Sequence, residues 1–388
     1  MKVMMVPSWY ETEDKPGKGT FFKEQAMLLQ ESGLTIAVAY PDLRPRLGGM
    51  RKGVFRDYGA KVPTYYCRQS GLTAFTEQSK SARRGRMLEE LYERVCRDMG
   101  KPDLVHLLSC RLGPESAALC ARHGLPLVYT EHTGGLLRSP GEGAADSVLK
   151  RCFRKTLQEC DLPIAVSEDL RAQMVTARPD TLLIPDPVDS GHFRIMPGVV
   201  PEGPFVFAAS GSLLPDKGFE ILLRGFASAL PHMQGAQLRI AGTGPQEREL
   251  EALIGELRLS ESVRLTGPLP RALSPGFYNG CDCFVCASFS EPFGMHIVEA
   301  LACGRPVIST RCGGPEEIVN ARNGLLINAG DVLAMERALI YMYRRAKSFN
   351  PFTLREDCIR RFGKSFVCQR LVQAYGYLLN QRTLAGRT

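Results

Sequence analysis

Short apolar runs of strand type alternate with longer stretches of helical pattern along this chain. Lys2–Val6, Thr35–Tyr40, Leu104–Leu108, Leu127–Thr130 and Leu162–Val166 read as buried strands. Between them, Gly19–Ser32, Met87–Met99 and Ser116–His123 read as helices, and Leu88, Leu91, Tyr92, Val95 and Met99 keep one face of the second apolar. The rhythm is that of βαβ units, which build a parallel sheet covered on both faces. Prolines 185, 187, 197, 201 and 204 then interrupt it, as an interdomain linker would. It restarts with Phe205–Ala209, Gln237–Ala241, Val263–Thr266, Cys283–Ala287 and Pro306–Ser309 as strands, each followed by a helix, and the chain is helical and polar after about Pro351. The expectation is an α/β protein of two Rossmann-like domains facing across a cleft. They cover residues 1–190 and 191–362, and a final helix, 363–388, returns to the first. In such sheets ligands bind beyond the carboxyl ends of the strands.

Composition narrows this little. A chain of 388 residues is long for one core, and its 44% apolar and 23% charged residues are those of a soluble globular protein. No apolar run approaches the roughly 20 residues that span a bilayer. Met1–Tyr10 reads as a first strand and lacks the cleavage site of a signal peptide. The thirteen cysteines show no paired spacing, as expected of free thiols in a reducing cytoplasm. Cys281, Cys283 and Cys286 lie in an apolar strand-like run without a second ligand pair, so no metal site is expected there.

Charge adds one local feature. Of the net +8, much arises between Arg44 and Lys101, where fourteen basic residues face six acidic ones. Lys80, Arg83, Arg84 and Arg86 directly precede the helix expected at Met87, and Phe55, Tyr58, Tyr65, Tyr66, Leu72 and Phe75 are interspersed nearby. No nucleic-acid recognition motif accompanies these charges, so no nucleic-acid partner is expected. An anionic membrane surface or acceptor suits them better, although a charge run is also what a solvated face looks like.

The chemistry concentrates in the second half. In Glu291-Pro-Phe-Gly-Met-His-Ile-Val-Glu299, a strand ends near Ala287 and a helix must start at about Gly294, which leaves amide donors pointing outward beside a glycine, a seat for phosphate. Glu291 stands before that helix and Glu299 within it, so one carboxylate can meet a sugar and the other a ribose. Two solvated glutamates at a capped helix would show the same pair; the longer string through Ala300-Leu-Ala-Cys-Gly304-Arg-Pro306 is more specific. Ser210-Gly-Ser-Leu-Leu-Pro-Asp-Lys217-Gly218 also runs from a strand into a helix, and a lysine there can neutralise a diphosphate leaving group. Ala241-Gly-Thr-Gly-Pro245 follows another strand, but Glu247 replaces the third glycine of a dinucleotide fingerprint.

These strings resemble the retaining GT-B glycosyltransferases of family 4 (glycosyl transferases group 1), most densely from about Ile184 to Ile327. The resemblance implies that Glu299 binds the donor ribose and Glu291 the transferred sugar. Phe293, Gly294, Met295 and His296 lie in the donor-contacting string, and the loops with Gly211, Ser212, Gly242 and Gly244 lie by the nucleotide. The family usually has arginine where this chain has Ser212, so either Lys217 carries more of the charge on the leaving group or another arginine substitutes. In the first half, Pro16-Gly-Lys-Gly19 resembles the family's glycine loop, where Gly17 or Gly19 would let backbone approach phosphate. Thr130-Glu-His132 matches an active-site histidine, whereas His106 reads as a core residue. The expected activity is metal-independent, retaining transfer from a UDP-, GDP- or ADP-sugar to a glycan or lipid-linked acceptor, without cofactor, with His132, Lys217 and Glu291 as the catalytic residues. The chain contains no Asp-x-Asp. A cytoplasmic enzyme, peripheral to the membrane, that builds surface polysaccharide or glycolipid would fit. The rivals are a GT-B nucleotide-sugar epimerase and a silent sugar-nucleotide-binding subunit.

Overall fold

The computed structural model describes residues 1–12, 19–44, 52–70, 76–133, 144–198 and 203–385, the side chains of 144–147 and 385 excepted. The chain forms two compact units: Met1–Pro185 with Val367–Thr388, and Asp186–Phe366.

The first unit is built on strands β1 (Lys2–Pro7), β2 (Thr35–Arg44), β3 (Gly53–Asp57), β4 (Thr64–Ser70), β5 (Leu104–Leu108), β6 (Leu127–Glu131), β7 (Leu162–Ala165) and β8 (Leu182–Leu183). Their order in the sheet is β3-β4-β2-β1-β5-β6-β7-β8. Every neighbouring pair is parallel except β3 and β4. Because helices cover both faces of such a sheet, β5 and β6 are buried at every position and show no alternation. Val3, Met5, Ile36, Val38, Leu104, Val128 and Ile164 meet Phe22, Leu28 and Leu29 of the helix Thr20–Glu31 in one core. The final helix, Lys364–Ala385, belongs to this unit from Val367 onward and places Val367, Leu371, Tyr375 and Leu378 in the same core.

Strands β4 and β8 and the helix Ala144–Glu159 are not among the expected elements, and three further local features differ from the expectation. Residues of β3 are half-buried on both faces, so their sequence carries neither the period of two nor a continuous apolar run. The helix expected from Met87 begins at Glu77, ten residues earlier. Thr76 and Ser79 form a reciprocal cap there, with serine in the place where glutamate or glutamine would mark a capping box. Lys80, Arg83, Arg84 and Arg86 therefore lie inside the helix and do not precede it.

Much of the basic stretch is also internal. Arg44 and Arg68 are buried and both donate to the Asp42 carboxylate, at 2.8 Å. Arg84 spans Glu115 and Glu77, Tyr65 and Tyr66 are buried in β4, and Phe55 stacks on Tyr66 at 5.4 Å. Arg46, Arg51, Leu72 and Phe75 lie outside the described residues.

The second unit has strands β9 (Val206–Ser210), β10 (Gln237–Ala241), β11 (Val263–Leu265), β12 (Cys283–Cys286), β13 (Val307–Arg311) and β14 (Gly324–Asn328), in the order β11-β10-β9-β12-β13-β14 and all parallel. This is the doubly wound order in which the chain leaves β9 towards one side and later returns to the other. Phe207, Phe226, Leu222 and Leu223 are among its buried core. Each such side chain contributes about 1.5–3 kcal/mol by leaving water. The switch falls between β9 and β12, so the loops after these two strands emerge side by side.

Candidate active site

The β9 loop passes through Pro215–Lys217 before the helix Phe219–Ala229 begins, and the β12 loop leads to the helix Met295–Ala302. Glu291 is not left to the loop's own flexibility. Its amide donates to the Cys312 carbonyl (3.0 Å) and its carbonyl accepts from the Gly314 amide (2.9 Å), which carries the pairing of β12 and β13 beyond the strand ends. Gly314 is close enough to Phe293 that a Cβ would lie 2.4 Å from the Phe293 Cα. Phe293 itself is buried and packs edge-on against Phe362 at 5.6 Å, so its side chain supports the loop from within.

With the backbone fixed in this way, the Glu291 carboxylate meets Lys217, whose Nζ donates to Oε1 at 2.5 Å. Nε2 of His296, the second residue of the helix, lies 4.0 Å from the same oxygen. Burial acts to lower the Lys217 ammonium, but the charge and hydrogen bond of Glu291, with the nearby Asp216 and Cys286, together outweigh it and hold the group above its ordinary range. The His296 imidazolium is likewise raised, because Cys286 and Glu291 beside it more than offset burial. Lys217 and His296 thus face one carboxylate at the switch point.

Glu299 forms a second, separate couple. Arg271 Nη1 donates to its Oε1 at 2.5 Å, and the Tyr278 hydroxyl to its Oε2 at 2.8 Å. The Arg271 guanidinium also lies over the Phe193 ring, 4.4 Å from its centre. Two donors leave free acceptor capacity on a carboxylate, so Glu299 is oriented without being saturated. Nothing in the sequence pattern pointed to Arg271 or Tyr278, which come from the segment between β11 and β12.

Of the expected glycines, Gly294 caps the helix Met295–Ala302 with φ 108°, a left-handed conformation. Met295 beside it is half-buried. Gly242 and Gly244 have a structural explanation of their own. A Cβ on Gly242 would come within 1.8 Å of the Gly211 carbonyl oxygen, and one on Gly244 within 2.4 Å of that of Leu213. The loops after β9 and β10 therefore pack backbone to backbone, tied by the Gly211 amide to the Ala241 carbonyl at 3.0 Å. Ser212 is exposed on the first of these loops.

In the first unit, Gly19 caps the helix Thr20–Glu31 and Gly17 lies outside the described residues. His132 follows β6, largely buried, with its ring edge-on to Phe22 at 4.9 Å and tilted against Phe21 at 5.5 Å. His106 is wholly buried, its Nε2 2.7 Å from the Thr130 hydroxyl and its Nδ1 2.7 Å from that of Tyr375. Burial, helped by the charge of His132, depresses its pKa to about 3.

Among the described residues no group of three His, Cys, Asp or Glu side chains could hold a metal ion. Cys281, Cys283 and Cys286 are buried and turn their thiols to three different partners, the Tyr278 carbonyl, the Phe284 carbonyl and the Ser288 hydroxyl. Among the same residues, no helix is long and apolar enough to cross a membrane.

Comparison with known proteins agrees with this architecture. The family "Glycosyltransferase Family 4" matches residues 17–191, and "Glycosyl transferases group 1" matches 196–361. D-inositol 3-phosphate glycosyltransferase 1 of Catenulispora acidiphila is 29% identical over 75% of this chain and 76% of its own length. The match to the corresponding Corynebacterium jeikeium enzyme spans 63% of that protein. The lipopolysaccharide core biosynthesis glycosyltransferase LpsD of Rhizobium meliloti is 32% identical over 36% of this chain and 39% of its own. Among solved structures, sucrose-phosphate synthase of Thermosynechococcus elongatus superposes with a TM-score of 0.80 at 19% identity, covering 98% of this chain and all of that one. Anabaena HepE, solved in complex with UDP, gives 0.73 at 19% identity, covering 97% of this chain and 100% of that one. The two parallel-sheet units, the Glu291 and Glu299 couples and these matches lead to one conclusion: the chain belongs to glycosyltransferase family 4 and has the GT-B fold.

Proposed function

We propose that the protein transfers a hexose or related sugar from a nucleoside diphosphate sugar to a glycan or lipid-linked acceptor, with retention and without a metal. The observation that carries the reading is the pair of carboxylate–cation couples, Lys217 with Glu291 and Arg271 with Glu299, at and beside the switch point of the second unit. Such a point is where a doubly wound sheet takes a nucleotide. The HepE structures with UDP and with UDP-glucose support a donor of that class.

In this reading Glu299 accepts hydrogen bonds from the ribose hydroxyls and Glu291 from the transferred sugar. Lys217 and His296 face the departing diphosphate, so that charge growing on the leaving oxygen meets the Lys217 ammonium already in place. The bond from the anomeric carbon to the phosphate oxygen breaks as the bond to the acceptor oxygen forms on the same face. The acceptor's proton passes to the leaving phosphate oxygen, and no second carboxylate nucleophile is needed. His132 serves the transferred sugar or the acceptor. LpsD and the inositol-phosphate enzymes support an acceptor from surface glycan or glycolipid synthesis. Recruitment to an anionic membrane would rest on exposed cations such as Lys52, Lys61, Arg86 and Arg97.

The test is product analysis with UDP-, GDP- and ADP-sugars and candidate acceptors in EDTA. A new glycoside with the donor's anomeric configuration is expected. An epimerised nucleotide-sugar with no glycoside, or nucleotide binding with no turnover of any acceptor, would overturn the reading.

A further inference from the structure

Glu131 is a wholly buried carboxylate at the end of β6, and none of the chemistry above uses it. A buried carboxylate normally finds a cation, because leaving water costs an isolated charge heavily. Glu131 finds none among the described residues. Its Oε1 instead accepts the backbone amides of His132 at 2.7 Å and Thr133 at 2.6 Å. Its Oε2 accepts the Cys110 amide at 3.2 Å and the Tyr129 hydroxyl. Four donors fill the four acceptor sites of a carboxylate, and hydrogen bonds to a charged acceptor are about twice as strong as neutral ones. Burial and the nearby Glu131 charge push the Tyr129 hydroxyl and the Cys110 thiol upward, so both keep their protons.

The grip has a direction. One oxygen holds the two amides that begin the loop after β6, and the other anchors to β6 itself and to the start of Cys110–Leu112, the turn that follows β5. His132 is itself held by one of these bonds, with its ring against Phe21 and Phe22. We infer that Glu131 is a positioning residue, whose buried carboxylate clamps the backbone of His132 and Thr133 and so fixes where the His132 ring is presented. The inference rests on the role proposed for His132 and adds to it the group that sets its geometry. A displacement on the order of 1 Å at a reacting group can cost about a hundredfold in rate.

Glu131→Gln keeps the size but turns one oxygen into a donor that faces donors. It should lower kcat by about ten- to a hundredfold while the donor KM stays near the wild-type value. Because it acts through His132, the double variant Glu131→Gln/His132→Ala should be no slower than His132→Ala alone. If Glu131→Gln does not fold, Tyr129→Phe, which removes one anchor and leaves both loop amides, should lower kcat several-fold with the same unchanged KM. Wild-type kcat in the folded variant, or losses that multiply in the double variant, would overturn the inference while His132→Ala remained impaired. A His132→Ala enzyme of wild-type rate would instead remove the role of His132, and this inference with it.

Discussion

The two units present their functional groups by opposite means. In the second, each candidate carboxylate is matched by a cation, Glu291 by Lys217 and Glu299 by Arg271, and the couples remain partly open to solvent. In the first, Glu131 is closed off entirely and satisfied by neutral donors, and His106 is kept neutral between two hydroxyls. The difference teaches what each unit is fitted for. Paired charges at a switch point suit a ligand that brings its own charge and can displace or extend the pairing, as a diphosphate does. A closed network of neutral donors and aromatic rings suits the placement of one side chain in a fixed position.

The comparison is broken most directly at Lys217. Lys217→Ala should reduce turnover by roughly a hundred- to a thousandfold, the effect of about 2.7–4 kcal/mol lost from leaving-group stabilisation. Steady-state kinetics showing wild-type turnover would mean that the charge couple is only structural. Glu299→Ala should act chiefly on donor affinity. Losing hydrogen bonds to a charged group is worth about 1.5–3 kcal/mol, a roughly ten- to 150-fold rise in donor KM. A fall in kcat at unchanged KM would assign Glu299 to the chemistry instead.

Beyond the rate tests of Glu131 and His132, the first unit is sharpened through stability. Tyr375→Phe should leave a buried nitrogen of His106 without its partner, at a cost of about 1–3 kcal/mol seen in thermal unfolding. His106 also predicts a pH dependence. An unfolded chain takes up its proton near 6.5, while the folded chain refuses it down to about 3. The resulting stabilisation is complete above about 6.5 and is lost progressively as pH falls towards 3. His106→Gln should flatten the decline in stability over that window, and an unchanged slope would remove His106 as its source. The smallest effect expected is at the membrane. Replacing Lys52, Arg86 and Arg97 by serine should weaken sedimentation with anionic vesicles at low salt without changing nucleotide binding. No sedimentation of the wild-type protein would leave a soluble acceptor as the better reading.

Most strands of both sheets were legible from apolar runs because strands of a parallel sheet are buried on both faces and stand out against polar turns. The edge strands β8 and β14, only partly buried, were not. The β3–β4 hairpin was not legible: half-buried β3 carries no period, and Arg68 on β4 reads as a surface charge although it is buried against Asp42. The helix start at Glu77 was hidden by a cap that uses Ser79 in place of glutamate. Within the candidate site, Glu291, Glu299 and Lys217 stand out because each follows a strand in a recognisable string. Arg271 and Tyr278 do not, since they reach Glu299 only through the fold. Gly242 and Gly244 show the reverse problem, for a glycine string that suggests a nucleotide loop also fits a close packing of two backbones.

The central claim is that the second unit holds a nucleoside diphosphate through its own cations. Calorimetric titration of the full chain with UDP, GDP and ADP in excess EDTA tests it most directly. One of the three should bind at one per chain, more weakly to Lys217→Ala and with unchanged affinity to His132→Ala. Binding that appears only after magnesium or manganese is added, or equal affinity in the Lys217→Ala protein, would contradict the account.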